Sequence, residues 1–158
     1  MQEIERKFLV TNLQFKEKAV TSLEIAQGYL NTHPERSVRV RITGNQGFLT
    51  IKGKSSESGT TRFEWETEIA AAEAKQLLAL CEKGIIEKIR HNIPSGNHIF
   101  EVDEFFGENE GLIIAEVELQ HEEEVFTKPP WLGEEVTGQL KYYNSQLIKN
   151  PYKNWHYE

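Results

Sequence analysis

Four short strings carry charge at every second position: Glu3-x-Glu5-x-Lys7, Arg39-x-Arg41, Lys88-x-Arg90 and Glu116-x-Glu118. In an extended chain, side chains two residues apart stand on one face, about 7 Å from one to the next. Arg forks and Lys ammonium groups suit the oxygens of a polyanionic phosphate. Paired carboxylates suit a hard divalent cation held through oxygen. If these faces turn toward one another, they suit a phosphate chain clamped by cations, with Mg²⁺ or Mn²⁺ bridging it to the acids. Neither set works alone: a purely cationic wall repels itself, and a purely acidic one repels phosphate.

Such faces need strands, and alternation of polar and apolar residues predicts eight of them, at 1–10, 22–31, 37–43, 48–54, 61–69, 85–93, 98–105 and 112–120. Short Gly-, Asn- and Pro-containing turns join several of them, which makes neighbours antiparallel. Residues 12–21 read as a polar connector. Residues 70–83 form the clearest helix, Ala-rich with a Leu77, Leu78, Leu80, Cys81 stripe, and Gly84 ends it. Residues 121–126 read as a helical turn and 134–149 as a helix broken near Gly138.

Sorted by face, the cations are Lys7, Arg39, Arg41, Lys52, Lys88, Arg90 and Lys141. The anions are Glu3, Glu5, Glu64, Glu66, Asp103, Glu116 and Glu118. Periodicity alone allows an open, solvated sheet laced by cross-strand ion pairs. Eight strands would then need a very large exposed face on a short chain. Closing the sheet removes that problem and its edges together. The expected fold is therefore mainly β (α+β): an eight-stranded antiparallel closed tunnel barrel, charged in its lumen and packed by helices outside.

The 158 residues are the size of one domain, 1–158, and can bury a core. A net charge of −7 argues against nucleic acid as a main partner. A single cysteine, Cys81, permits no internal disulfide and reads as a plain buried thiol. With no long apolar run and no apolar leader, the expectation is a cytoplasmic protein that does not bind membranes, monomeric or homodimeric. His33, His91, His98, His121 and His156 show no zinc spacing and are read as having no metal role. Trp65 and Trp131 read as packing residues.

The ordered set resembles the CYTH superfamily, the triphosphate tunnel metalloenzymes, nearly end to end. It comprises Glu3-x-Glu5-x-Lys7, Gln27-Gly28-Tyr29-Leu30, Val38-Arg39-Val40-Arg41, Leu49-Thr50-Ile51-Lys52, Glu64-x-Glu66, Lys88-x-Arg90, Glu101-x-Asp103, Ala115-Glu116-Val117-Glu118 and Glu134-Glu135-Val136-Thr137. The resemblance implies a tunnel binding triphosphates with a divalent metal, Mg²⁺ or Mn²⁺. It implies metal-side roles for Glu3, Glu5, Asp103, Glu116 and Glu118, with Glu64 and Glu66 as further tunnel acids. It implies phosphate contacts from Lys7, Arg39, Arg41, Lys52, Arg90 and Lys141. Tyr29 and Lys88 resemble a Lys–Tyr pair of the short bacterial tripolyphosphatases in this family. A crowded, desolvated Lys loses its proton more easily and could help activate water; Lys88 could equally be a phosphate clamp, and Tyr29 a wall aromatic. Gln139 and Lys141 depart from the family's C-terminal string, where an acid and an Arg are expected. The implied activity is metal-dependent hydrolysis of tripolyphosphate to pyrophosphate and phosphate. The alternatives are an adenylate cyclase of class IV type, a thiamine triphosphatase, or a non-catalytic polyphosphate binder.

Overall fold

The computed structural model describes residues 1–155; His156 lies outside them. The expected strands all form: β1 (Gln2–Val10), β2 (Thr21–Asn31), β3 (Arg36–Thr43), β4 (Gln46–Ser55), β5 (Thr61–Ala70), β6 (Ile86–Ser95), β7 (His98–Phe105) and β8 (Ile113–Glu118). Each pairs antiparallel with its neighbours in the order β5-β4-β3-β2-β6-β7-β8-β1, and β5 returns to β1, closing the barrel. Two-residue loops make the tightest corners, with Thr43 paired to Gln46 and Ser95 to His98. Each corner begins at a glycine of positive φ, Gly44 (59°) and Gly96 (61°), which lets the strands reverse without strain.

The closing seam is short. Only Gln2, Glu3 and Ile4 pair with Phe63, Arg62 and Thr61. Farther along, the free edge of β1 is taken by a ninth strand, β9 (Leu132–Glu135), paired at Phe8 and Val10. The chain then runs beside β1: Val136 N–H donates to the Lys7 carbonyl (2.8 Å), and Lys7 N–H donates to Thr137 Oγ1 (2.9 Å). This corrects the expected helix over 134–149. Its helical content is one 3₁₀ turn at Leu140–Tyr142 and one α-turn, Asn144–Leu147.

The helical cover is thinner than expected. The helix predicted over 70–83 is regular only over Ala71–Leu78. Beyond it the Glu82 N–H leaves the helical pattern to donate to the Tyr29 carbonyl on β2 (2.8 Å), and the Glu82 carboxylate accepts from Thr32. Helix and sheet approach closely at Gly47, where an added Cβ would lie 2.7 Å from that of Ala74. In the expected polar connector a four-residue helix, Phe15–Lys18, buries Phe15 completely. Residues 121–126 form only a turn, with Glu124 N–H on the His121 carbonyl (3.1 Å). No helix among the described residues is long and apolar enough to cross a membrane.

Two apolar clusters hold the barrel. One lies outside it: Phe8, Phe100, Val102 and Val117 point outward and are covered by Phe15 and Trp131. The other lies on the lumen side. Ile86, Phe105 and Ile114 share faces with Lys88, Asp103 and Glu116 respectively, so they point inward. They pack with Val136, Tyr142, Leu147 and Trp155 from the C-terminal segment. The lumen is thus charged over part of its length and plugged with apolar side chains at the end where β1 and β7 finish. Leu147 is fully buried in this plug. Leu147→Ala is expected to cost about 2–5 kcal/mol, read as a lowered urea midpoint.

Candidate functional site

The charged half of the lumen encloses a cavity of about 230 Å³, against roughly 10–15 Å³ needed to hold one water. Its cationic lining is Lys7, Arg39, Arg41 and Lys52 from β1, β3 and β4, with Arg62, Lys88 and Arg90 from β5 and β6. Its acids are Glu3 and Glu5 from β1, Glu64 and Glu66 from β5, Glu101 from β7, and Glu116 and Glu118 from β8. Seven cations therefore face seven acids, brought together because each strand presents alternate residues inward. The expected lumen is real, and the open solvated sheet is excluded.

The charges are held in cross-strand pairs. Lys52 Nζ donates to Glu3 Oε1 (2.8 Å) and lies 3.5 Å from Glu64. Arg39 and Arg41 each lie 3.5 Å from Glu66, which also accepts from the Thr50 hydroxyl (2.7 Å). Glu116 stands 3.7 Å from Lys7 and 3.5 Å from Arg90. Pairing is incomplete for the arginines: the buried Nε–H groups of Arg39 and Arg41 have no acceptor. A buried donor without a partner is costly. Burial, then the positive charges of Arg39 and Arg90, pulls the Arg41 guanidinium down to about 10. This lumen is crowded with positive charge on that wall.

The acidic side is crowded in turn. Burial, then the nearby charges of Glu116 and Glu3, pushes the Glu5 carboxyl well above the usual range. Burial also raises Glu101, helped by Glu116 and Asp103, and raises Glu118, helped by Glu3. Burial alone would raise Glu116 as well, but Lys7 and Arg90 hold it near 2. Among the described residues no three acids are gathered closely enough to grip an ion as they stand, because Glu3, Glu66 and Glu116 are turned toward cations. The donor chemistry nevertheless fits a hard dication: Glu3, Glu5, Glu116 and Glu118 offer only oxygen, and the upward push on Glu5 from Glu116 and Glu3 is a repulsion that a dication would relieve.

A pH dependence follows. Glu5, Glu101 and Glu118 bind protons more tightly folded than unfolded. Between the ordinary carboxylate range and their raised values, the folded state holds the extra protons, so stability falls as pH rises. Metal-free protein is expected to melt at a lower Tm at pH 8 than near pH 5. Addition of Mg²⁺ or Mn²⁺ should recover the difference at pH 8, as read by a thermal scan in chelator and then in excess metal.

Two expected site residues are placed elsewhere. Asp103 does not line the cavity; it is 2% exposed beneath the wall. It accepts from Lys88 Nζ at 2.7 Å and from Arg90 Nε and Nη2 at 2.8 and 2.9 Å. Burial would raise its carboxyl, but Arg90 and Lys88 together drive it far below the usual range. Its oxygens are engaged by these two cations, which it holds in place. Glu101, two residues away on the same face, is the β7 acid that does reach the cavity. Lys141 does not line the cavity; its ammonium stands 4.7 Å from the Trp155 ring and 5.4 Å from that of Tyr142, both in the plug. The 3₁₀ turn that carries it seats Tyr142 in the plug.

Lys88 and Tyr29 both line the cavity, but Lys88 donates to Asp103 and Asn144 (3.0 Å) rather than to Tyr29. Burial and the Arg90 charge, opposed by Asp103, lower Lys88 to about 8. The lining also includes Arg62, Thr137, Tyr143 and Asn144, which the sequence reading did not select. Arg62 alternates in phase with Glu64 and Glu66, so periodicity could have found it. Thr137 and Tyr143 lie outside the regular elements and Asn144 opens a four-residue helix, so none of the three falls in an alternating strand pattern. Of the histidines, His91 and His98 pair with Glu104 and Glu124 instead of facing the cavity.

The chain matches the CYTH domain family over residues 1–152. It is 50% identical over 154 residues to an inorganic triphosphatase of Acetivibrio thermocellus, covering 97% of each chain. It is 38% identical over 152 residues to an inorganic triphosphatase of Nitrosomonas europaea, covering 93% of this chain and 97% of the relative. A crystal structure described as an inorganic triphosphatase superposes with a TM-score of 0.66 at 33% identity, over 92% of this chain and 97% of the other. With its barrel, its paired ionic lumen and this end-to-end similarity, the chain belongs to the CYTH domain family.

Proposed function

We propose that the protein is a metal-dependent hydrolase that cuts inorganic triphosphate to pyrophosphate and phosphate. The observation that carries this reading is the single cavity walled by seven cations, Arg39 and Arg41 among them, and by seven acids suited to a dication. Lys7, Arg39, Arg41, Lys52 and Arg90 hold the phosphate chain and take up charge that develops on its oxygens. Asp103 fixes the direction of Lys88 and Arg90. Lys88 acts as a cation toward a phosphoryl oxygen below about pH 8, and Tyr29 forms the wall beside it. A divalent ion, Mg²⁺ or Mn²⁺, held by Glu3, Glu5, Glu116 and Glu118, would supply further charge stabilisation and lower the pKa of attacking water.

An inorganic substrate fits better than a nucleotide or thiamine ester. The lining has two aromatic rings, Tyr29 and Tyr143. The face of Tyr143 is already engaged, with Lys7 Nζ 4.7 Å and Arg62 Cζ 5.8 Å from its centre. The apolar plug closes the lumen beside Lys88, which leaves a base or ring no sheltered pocket there. The test is purified protein with tripolyphosphate, ATP or thiamine triphosphate and each metal, with phosphate and cyclic AMP both measured. Phosphate release from tripolyphosphate is expected to dominate; none above buffer would refute the proposal.

Lys52 joins the two acidic strands at the cavity wall. Lys52→Ala is expected to raise KM for tripolyphosphate about 10- to 100-fold, the worth of a charge-assisted hydrogen bond. The change in kcat should be smaller, as checked by initial rates at saturating metal.

A further inference from the structure

We propose that Asn144 is a direct substrate contact, an uncharged donor to a phosphoryl oxygen, and that Gln27 is the residue that positions it. The inference rests on the triphosphatase reading and adds a contact from the C-terminal segment, outside the barrel strands.

Asn144 opens the short helix that follows Tyr143, and its side chain lines the cavity. Its Oδ1 accepts two hydrogen bonds, from Lys88 Nζ at 3.0 Å and from Gln27 Nε2 at 2.7 Å. An ammonium can only donate. The atom beside it must therefore be the carbonyl oxygen, which fixes the amide orientation. Gln27 is wholly buried; with the Asn144 oxygen fixed by Lys88, the Gln27 amide must turn its NH₂ to that oxygen, which leaves Gln27 Oε1 without a partner among the described residues. With both donors on the oxygen, the Asn144 NH₂ is left on the other side. It has no acceptor among the described residues, and it is not among the buried atoms lacking a partner, so it reaches the open space of the cavity that Asn144 lines. A donor held this way suits phosphoryl oxygen and needs no reorganisation to meet it. It also brings no positive charge, so it adds a contact without further crowding beside Lys88 and Arg90.

Asn144→Asp keeps the acceptor that Lys88 and Gln27 use but turns the donor into a second acceptor. Ser145→Asp brings the same charge to the adjacent lining position and leaves the Asn144 amide in place. Titration calorimetry with tripolyphosphate in excess chelator reads both against the wild type, without turnover. Asn144→Asp is expected to bind at least about 10-fold more weakly than Ser145→Asp while keeping the wild-type Tm. With metal present, Gln27→Met should raise KM for tripolyphosphate more than it lowers kcat. Equal losses in the two aspartate variants would overturn the assignment of Asn144 while leaving the triphosphatase reading intact. Failure of the wild type to bind tripolyphosphate would overturn both.

Discussion

Glu116→Ala is expected to reduce turnover of tripolyphosphate by about 10²–10³-fold or more, the scale of losing one preorganised charge-stabilising group. The same variant should bind tripolyphosphate in chelator as tightly as the wild type, or tighter. The two effects have one cause. Glu116 is 3.7 Å from Lys7 and 3.5 Å from Arg90. It neutralises cations that would otherwise face phosphate, so its removal frees them for the anion. It is also the acid held most firmly ionised in the cavity, near 2, and hence the one best prepared to meet a dication. Phosphate release and calorimetric affinity, measured on the same preparation, separate the two roles. Wild-type turnover in Glu116→Ala would rule out its place among the metal-side acids.

Asp103→Ala is expected to act on the fold first. Its carboxylate is the shared partner of Lys88 and Arg90, whose side chains are 2% and 14% exposed. Removing one member of a buried ionic group leaves the others charged and unmatched, at a cost of about 3–5 kcal/mol. For a domain of this size that lowers Tm by roughly 6–20 °C. If Asp103 orients cations rather than holding metal, the metal concentration giving half-maximal activity stays at its wild-type value in whatever protein remains folded. A large rise in that concentration, with an unchanged Tm, would return Asp103 to the metal-side acids.

Asp103 also shows what a sequence of this kind can and cannot convey. Alternation reports which face of a strand a side chain takes. It correctly put Glu101 and Asp103 on one inward face and predicted the eight barrel strands. Alternation does not report depth. Whether an inward residue meets the cavity or the plug depends on strand tilt and on what fills the lumen. Phe105, Ile86 and Ile114 share phase with the charged residues yet form an apolar stopper. The C-terminal third was the least legible for a related reason. Leu132–Glu135 is too short to show a period, and its pairing is set by the edge of β1 that β5 leaves free. Leu140, Tyr143 and Leu147 have helical spacing, but Gly138 at φ +79° and the docking of Tyr142 and Leu147 into the plug divide the segment into separate turns. Lys141 reads as a site cation because its neighbours in sequence match a motif; in the fold its ammonium stands over the Trp155 ring of the plug.

The way β1 is shared between β8, β5 and β9 bears on how the molecule comes to exist. β1 takes residues 61–63 of β5 as an early partner, but most of its length pairs with β8, from Glu118 to Ile114, and β9 from Leu132, which follow it by more than 100 residues. Until they arrive, β1 from Arg6 to Val10 has unpaired backbone on both edges, and the lumen lacks its β8 acids. Contacts so distant in sequence favour slow acquisition of the native state. The polar alternation of β1, with Glu3, Glu5 and Lys7 on one face, is a safeguard during that wait, since charged strands resist adhesion to other nascent chains. The residues that equip the lumen for phosphate thereby also protect the unfinished polypeptide.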